Sequence, residues 1–156
     1  MQSVEEILNL INSKLADFND DEAIQAFNQL KDFIADNNST AEEISDAYLL
    51  QGLLVAFNPF LTGCENDYSG IVYFHKAIQF NPDNISALLN IINCYLPIAP
   101  ITPFIKQNPE IFIQAYDKLD DELFEQLDES NKRLLKQYAE YYNYLKSKGA
   151  KFAPFD

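Results

Sequence analysis

The sequence predicts an all-α protein that folds as a single helical domain over residues 1–156. Apolar residues make up 47% of the chain, which is enough to build a hydrophobic core. They recur at helical spacing, as in Val4, Ile7, Leu8 and Ile11. The chain contains four glycines and no Asn-Gly or Asp-Gly pair of the kind that joins two β-strands. These observations favour about six to eight helices and exclude an all-β fold.

Capping residues and prolines indicate where the helices begin and end. A Ser or Thr followed three residues later by Glu is the pattern of a capping box, and it marks helix starts at Ser3 and Thr40. Asp20 or Asp21 is expected to cap the second helix. The Asn-Pro pair at residues 58–59 ends the third helix, because proline disfavours helical geometry in the residue before it. The later helices are predicted at residues 67–80, 82–96 and 110–120, followed by one or two more up to Gly149.

The charge of the chain is strongly acidic and unevenly distributed. The net charge is −13, and residues 1–131 hold 22 acidic and 5 basic side chains, whereas residues 132–156 hold 2 acidic and 6 basic ones. An acidic surface repels phosphate backbones and attracts basic proteins. We therefore expect no nucleic-acid partner and favour a basic protein partner, with solubility alone as the other explanation of this charge.

Composition and the N-terminal residues predict a cytoplasmic protein. No run approaches the ~18 apolar residues of a membrane span, and Glu5 and Glu6 stand where a signal peptide carries basic residues. Cys64 and Cys94 are not spaced as metal ligands, so we expect two free, buried thiols in a reducing compartment. No association with a membrane is expected.

The sequence gives little support for catalysis. His75 is the only histidine, neither cysteine has a histidine nearby in the sequence to activate it, and there is no Gly-rich phosphate loop. The carboxylates are numerous, but none has an apolar sequence setting that would tune its pKa for acid–base chemistry. We therefore expect no enzyme, no cofactor and no metal site.

A spaced motif follows the third helix. Gly70, Phe74, Ala77 and Pro82 occur at the spacing small-x3-Phe-x2-Ala-x4-Pro. The motif continues with the apolar stripe Leu88, Ile91, Ile92 and Tyr95. This arrangement resembles the tetratricopeptide repeat, a helix-turn-helix unit of about 34 residues.

The spacing of this motif has a physical basis. Small residues at Gly70 and Ala77 allow two antiparallel helices to approach closely, Phe74 fills the space between them, and Pro82 ends one hairpin and begins the next. Weaker matches occur upstream, with Gly52 at the point of close contact. The upstream matches are Ala23, Phe27 and Leu30, and Tyr48, Gln51, Gly52 and Val55.

The resemblance implies a TPR-like α-solenoid of about three helical hairpins with a C-terminal capping helix. A plain helical bundle with one repeat-like hairpin is the alternative. In the family, the first helix of each hairpin lines a concave groove that holds a peptide or a helix of the partner. The corresponding partner-binding residues here are Asp46, Leu49, Leu53 and Phe57 on the third helix, Ser86, Leu89, Asn90 and Asn93 on the fifth, and Asn12 on the first.

The expected function is that of a non-catalytic protein-binding module for a basic or amphipathic partner. One concrete form is an immunity protein or antitoxin that occludes a basic toxin. A secretion chaperone that holds an export substrate and a self-associating structural subunit are the alternatives.

Two further segments have two interpretations each. Residues 117–129 form a solvated amphipathic helix or mimic nucleic-acid charge. The tyrosines at 138–144 cap the stack or form an interface. Partner identity and oligomeric state are left open.

Overall fold

The computed structural model describes residues 4–36, 38–61, 69–94 and 108–147, and all regular secondary structure in these ranges is helical. The prediction of an all-α fold is confirmed for this part of the chain. None of its helices is both long enough and apolar enough to cross a lipid bilayer. The helices are α1 (Val4–Lys14), α2 (Asp20–Ala35), α3 (Ala41–Phe57), α4 (Ile71–Phe80), α5 (Ile85–Asn93), α6 (Pro109–Lys118), α7 (Asp121–Glu125), α8 (Glu129–Gln137) and α9 (Ala139–Ser147), with a 3-10 turn at Pro59–Leu61.

Two capping boxes fix the starts of α2 and α3. The backbone N–H of Glu43 donates to Thr40 Oγ1 at 3.1 Å, and the Thr40 N–H donates to the Glu43 carboxylate at 2.9 Å, as predicted. The predicted aspartate cap of α2 is wrong, because Asn19 is the capping residue and forms a box with Glu22. Asp20 instead lies in the first turn, where its negative charge is favourable at the helix N-terminus. Ser3 lies outside the described residues.

The hairpin of α4 and α5 is shorter than the sequence predicts. Gly70 has φ 82°, a left-handed conformation that a helix cannot include, so α4 begins at Ile71. Pro82 lies in a turn, and the Asn84 side chain caps α5 by accepting from the Ala87 N–H at 3.2 Å. The two helices still form the antiparallel pair that the motif predicts.

The acidic segment 117–129 does not form one amphipathic helix. Asp120 accepts from the Leu123 N–H at 2.9 Å and Asp128 accepts from the Asn131 N–H at 2.8 Å, so each aspartate caps a new short helix. Three helices therefore follow α6 where one or two are predicted. The apolar residues of the segment do face inward: Leu127 is buried, and the core also receives Leu119, Leu123 and Phe124.

Neighbouring helices along the chain pack against each other from α2 to α6, α1 also contacts α3, and α9 returns to α6. One apolar cluster joins α1, α2 and α3, and a second joins α4 to the C-terminal helices. On α2, Ala23, Ala26 and Leu30 are buried, whereas Ile24 is 42% exposed. The predictions for Cys64 and for Gly149 lie outside the described residues, whereas Cys94 is a buried free thiol.

Candidate functional site

A groove of about 600 Å³ lies across α1, α3 and α5. These are alternate helices of the chain, and α2 and α4 pack behind them. The groove is lined by Glu5, Leu8, Asn9 and Asn12 from α1, by Glu43, Asp46, Leu49, Leu50 and Leu53 from α3, and by Ser86 and Asn90 from α5.

A buried set of hydrogen bonds holds the starts of α3 and α5 side by side. The Ser45 hydroxyl, which is fully buried, donates to the Ala77 carbonyl at the end of α4 over 2.7 Å. Asn84 Nδ2 donates to Ser45 Oγ at 2.9 Å and approaches Asp46 Oδ1 at 3.3 Å. Because α3 and α5 are each antiparallel to α4, they run in the same direction, and their first turns lie at the same end of the groove.

Carboxylates give the groove a negative charge. Glu5, Glu43 and Asp46 are its charged lining residues, and no lysine or arginine of the described chain is among them. Burial raises the pKa of the Asp46 carboxyl, Glu42 raises it further, and the hydrogen bond from Asn84 opposes this increase. A cation bound beside Asp46 would stabilise the charged form that burial disfavours.

Leucines supply the apolar part of the groove. Leu50 is buried in the cluster shared by α1, α2 and α3. Leu49 and Leu53 are partly exposed and contact the second cluster, so their outer surfaces remain available to a ligand. A segment that enters the groove would therefore meet both carboxylates and leucine side chains.

The groove brings together most of the residues that the sequence singles out. Asp46, Leu49, Leu53, Ser86 and Asn90 all line it, and so does Asn12 on α1. The other three predicted residues are not among the lining residues. Phe57 is 55% exposed at the end of α3, Leu89 packs against the second core cluster, and the Asn93 Oδ1 is buried without a hydrogen-bond partner among the described residues.

Asn90 is less available than its chemistry alone implies. An amide can both donate and accept, but Asn90 Nδ2 donates to the Ser86 carbonyl of its own helix at 2.7 Å. One of the two Nδ2 hydrogens is therefore used within α5, and the second hydrogen and the carbonyl oxygen of the amide are left for a ligand.

Sequence reasoning missed three groove residues on α1 and two on α3. Glu5, Leu8 and Asn9 precede Asn12 at spacings of seven, four and three residues, which places all four on one helical face. This periodicity could have identified them. On α3, the capping-box pattern accounts for Glu43 without indicating a place in the groove, and Leu50 is one residue away from the predicted Leu49.

The other groups considered from the sequence lie away from the groove. Burial lowers the pKa of the half-buried His75, and Glu110 partly offsets this. Within the described residues, no group of three or more His, Cys, Asp or Glu side chains could hold a metal ion. Tyr138 is buried, and the Tyr142 ring stacks on Tyr116 with ring centres 4.4 Å apart.

Comparison with protein-family models, with curated proteins and with solved structures finds no match to this chain.

Proposed function

We propose that this chain is a non-catalytic protein-binding module whose groove holds a basic or amphipathic segment of another protein. The observation that carries this proposal is the lining of the groove, where three carboxylates and several leucines occur without a basic side chain. Opposite charge speeds encounter and sets the orientation of a partner, while buried apolar side chains supply affinity.

The packing of the helices supports a TPR-like arrangement. Gly52 of α3 and Gly70 at the start of α4 lie in direct contact, and the Phe74 ring packs against Gly52. These are the positions at which the repeat motif places small residues and an aromatic wedge. The short helices α7 to α9 depart from the repeat, so the proposed stack comprises α1 to α6 with α7 to α9 as its C-terminal cap.

The ends of the groove differ, and this difference defines the segment that fits best. Glu43 and Asp46 lie in the first two turns of α3, whereas Leu53 lies near its end. A lysine or arginine of the partner would pair with the carboxylates, and an apolar side chain several residues away would contact Leu49 and Leu53. A cytoplasmic immunity protein or antitoxin that masks a basic toxin would use such a surface, and this is the form we favour over a secretion chaperone or a self-associating subunit.

A designed peptide tests this function directly. A capped peptide that alternates lysine with leucine should bind the full-length chain, and affinity should fall as salt is raised, since surface charge pairs are screened. The Glu5→Gln/Asp46→Asn double variant should weaken binding by about tenfold, because each exposed pair contributes up to about 1 kcal/mol. Asp32→Asn is the matched control, since it removes one carboxylate from an exposed position on α2 outside the groove. Equal affinity of wild type and double variant would exclude the groove as the binding site.

A pull-down from the native host at low and at high salt complements the peptide assay. We expect a basic protein to be retained at low salt and released at high salt. A captured partner that is a toxin encoded next to this chain would favour the immunity role. A captured partner that is exported by a secretion apparatus would favour the chaperone role.

A further inference from the structure

A second pocket lies on the opposite face of α3 from the groove. It has a volume of about 300 Å³ and is enclosed by α2, α3 and α4. Its main side chains are Phe27 and Lys31 from α2, Tyr48 from α3, and Tyr73 and Lys76 from α4. We refer to these five residues as the lysine–tyrosine pocket. The face of α3 that carries Tyr48 is distinct from the face that carries Asp46, Leu49 and Leu53.

The charge of this pocket is opposite to that of the chain as a whole. Lys31 and Lys76 are its only charged lining residues, although the net charge of the chain is −13. Neither lysine forms an ion pair within the described residues. The pocket therefore offers two ammonium groups that no carboxylate of the described chain neutralises.

Aromatic rings position one of these ammonium groups. Lys76 Nζ lies 5.7 Å from the centre of the Tyr48 ring and 5.5 Å from the centre of the Tyr73 ring. A cation over an aromatic face is attracted to the ring but keeps its charge. The two tyrosines therefore hold Lys76 in place without using its capacity to pair with an anion.

An exposed apolar edge adjoins the lysines. Phe80 lies one helical turn after Lys76, is 42% exposed and stacks on Tyr48 with ring centres 5.6 Å apart. Partly exposed aromatic and aliphatic side chains beside unpaired cations are suited to a ligand that is both acidic and apolar.

We propose that the lysine–tyrosine pocket binds an acidic segment of a second protein partner. An aromatic or aliphatic side chain of that segment packs against Tyr48 and Phe80, and the carboxylates on either side of it pair with Lys31 and Lys76. The chain then holds a basic partner on one face of α3 and an acidic partner on the other, so this inference goes beyond the proposed function of the groove.

A phosphate-bearing ligand fits the pocket less well. Every lining residue lies within a helix. Tyr73 is in the first turn of α4, but its backbone N–H donates to the Gly70 carbonyl at 3.0 Å and is not free for a ligand. Phosphate sites in proteins typically use free backbone N–H groups at helix N-termini or in loops. Here the backbone donors are used within the helices, so carboxylates that meet lysine side chains are the better match.

The test measures binding of a capped peptide in which glutamates flank a phenylalanine and a leucine. The full-length chain should bind it, with affinity that decreases as salt rises. Lys31→Gln and Lys76→Gln should each weaken binding by about threefold and the double variant by about tenfold. Lys76→Arg should retain binding, because it keeps the charge. Lys14→Gln is the matched control, since Lys14 is an exposed lysine at the end of α1 outside the pocket. Far-ultraviolet circular dichroism verifies that each variant is folded.

Two further measurements separate this proposal from the groove and from other ligands. The lysine–leucine peptide should bind the Lys31→Gln/Lys76→Gln variant as tightly as wild type, so the two surfaces can fail independently. Absence of binding of the acidic peptide, or equal affinity in the double variant, would overturn the proposal. Adenosine monophosphate that binds more tightly than the acidic peptide, and that the double variant no longer binds, would also overturn it, because the pocket would then be a nucleotide site. Self-association of the chain that the double variant abolishes would overturn it too, because the pocket would then bind a second copy of the chain.

Discussion

Gly52 and Gly70 meet backbone to backbone where α3 crosses the start of α4. A Cβ atom added to Gly70 would lie 2.9 Å from the Gly52 Cα, and one added to Gly52 would lie 2.5 Å from the Phe74 ring. Gly70 also has φ 82°, a conformation that residues with a side chain rarely adopt. Both the contact and the backbone conformation therefore require glycine at this crossing.

Gly70→Ala should lower the free energy of unfolding by at least about 2 kcal/mol, because strain at positive φ adds to overlap with the Gly52 backbone. Gly52→Ala should also destabilise the protein, since the Phe74 ring has to move. Urea unfolding followed by circular dichroism measures both changes. Gln29→Ala, at an exposed position on α2, should change stability by less than about 0.5 kcal/mol. A Gly70→Ala variant as stable as this control would contradict the close crossing.

Ser45→Ala should destabilise the fold by about 1–3 kcal/mol, since it leaves the Ala77 carbonyl without the Ser45 donor and Asn84 Nδ2 without the Ser45 acceptor in a buried site. The Asn84→Ala substitution removes the bond to Ser45 from the other side, together with the bond to Asp46 and the cap of α5. The two substitutions should therefore be non-additive in a double-mutant cycle. Ser13→Ala, which removes an exposed hydroxyl bonded to Leu10 of its own helix, is the control. Strict additivity would indicate that Ser45 and Asn84 act separately.

Binding of the lysine–leucine peptide should weaken as the pH falls. Burial raises the pKa of Asp46 above its ordinary value of 3.8, so this carboxylate gains a proton and loses its attraction for a cation earlier on acidification than an ordinary aspartate. Calorimetric titrations between pH 7 and pH 4 measure the effect, and Asp46→Asn should flatten the profile. The asparagine oxygen can accept the same hydrogen bond from Asn84, so we expect little change in thermal stability. A profile identical in wild type and Asp46→Asn would remove Asp46 from the proposed site.

His75 should make the protein less stable below neutral pH. Its pKa is lowered from 6.5 mainly by burial, so the unfolded state binds a proton more readily than the folded state. Above pH 6.5 the histidine is neutral in both states and no stability is lost. As the pH falls from 6.5 through the lowered pKa of the folded state, the unfolded state takes up the proton first and the free energy of unfolding decreases. His75→Gln should therefore lose less stability than wild type between pH 7.5 and pH 5 in urea unfolding. Parallel losses in the two proteins would contradict this assignment.

Much of the fold follows from local signals in the sequence. The start of α3 at the Thr40 capping box and its end before Pro59 are both predicted, because these residues act on their own segment of backbone. The start of α4 is predicted less well, since the left-handed conformation of Gly70 depends on its contact with α3. The division of residues 117–129 into separate helices depends on which aspartates act as caps, and the composition of the segment does not distinguish a capping aspartate from a solvated one.

The candidate groove is predictable in part, because helical periodicity shows which residues share a face but not which helix that face meets. Helical periodicity places Asp46, Leu49 and Leu53 on one face of α3, and the structure places that face in the groove. Leu89 has comparable spacing on α5 and also contacts the second core cluster, but it does not line the groove. The neighbour of α5 on its other side is α6. The position of α6 depends on the segment between the two helices, whose path no periodicity predicts. The contribution of α1 likewise depends on which helices become neighbours in space.

The hydrogen bonds of Ser45 and Asn84 connect three helices, and this has a consequence for how the protein opens. A helix that contacts only its neighbour along the chain can unfold alone. The Ser45 hydroxyl on α3 is bonded both to the end of α4 and to the start of α5, so opening of α3 breaks both bonds at once. The amide protons of these three helices should therefore exchange with solvent deuterium at one common opening free energy, above that of α1. The middle of the chain then behaves as one cooperative unit, which includes both of the proposed binding faces of α3.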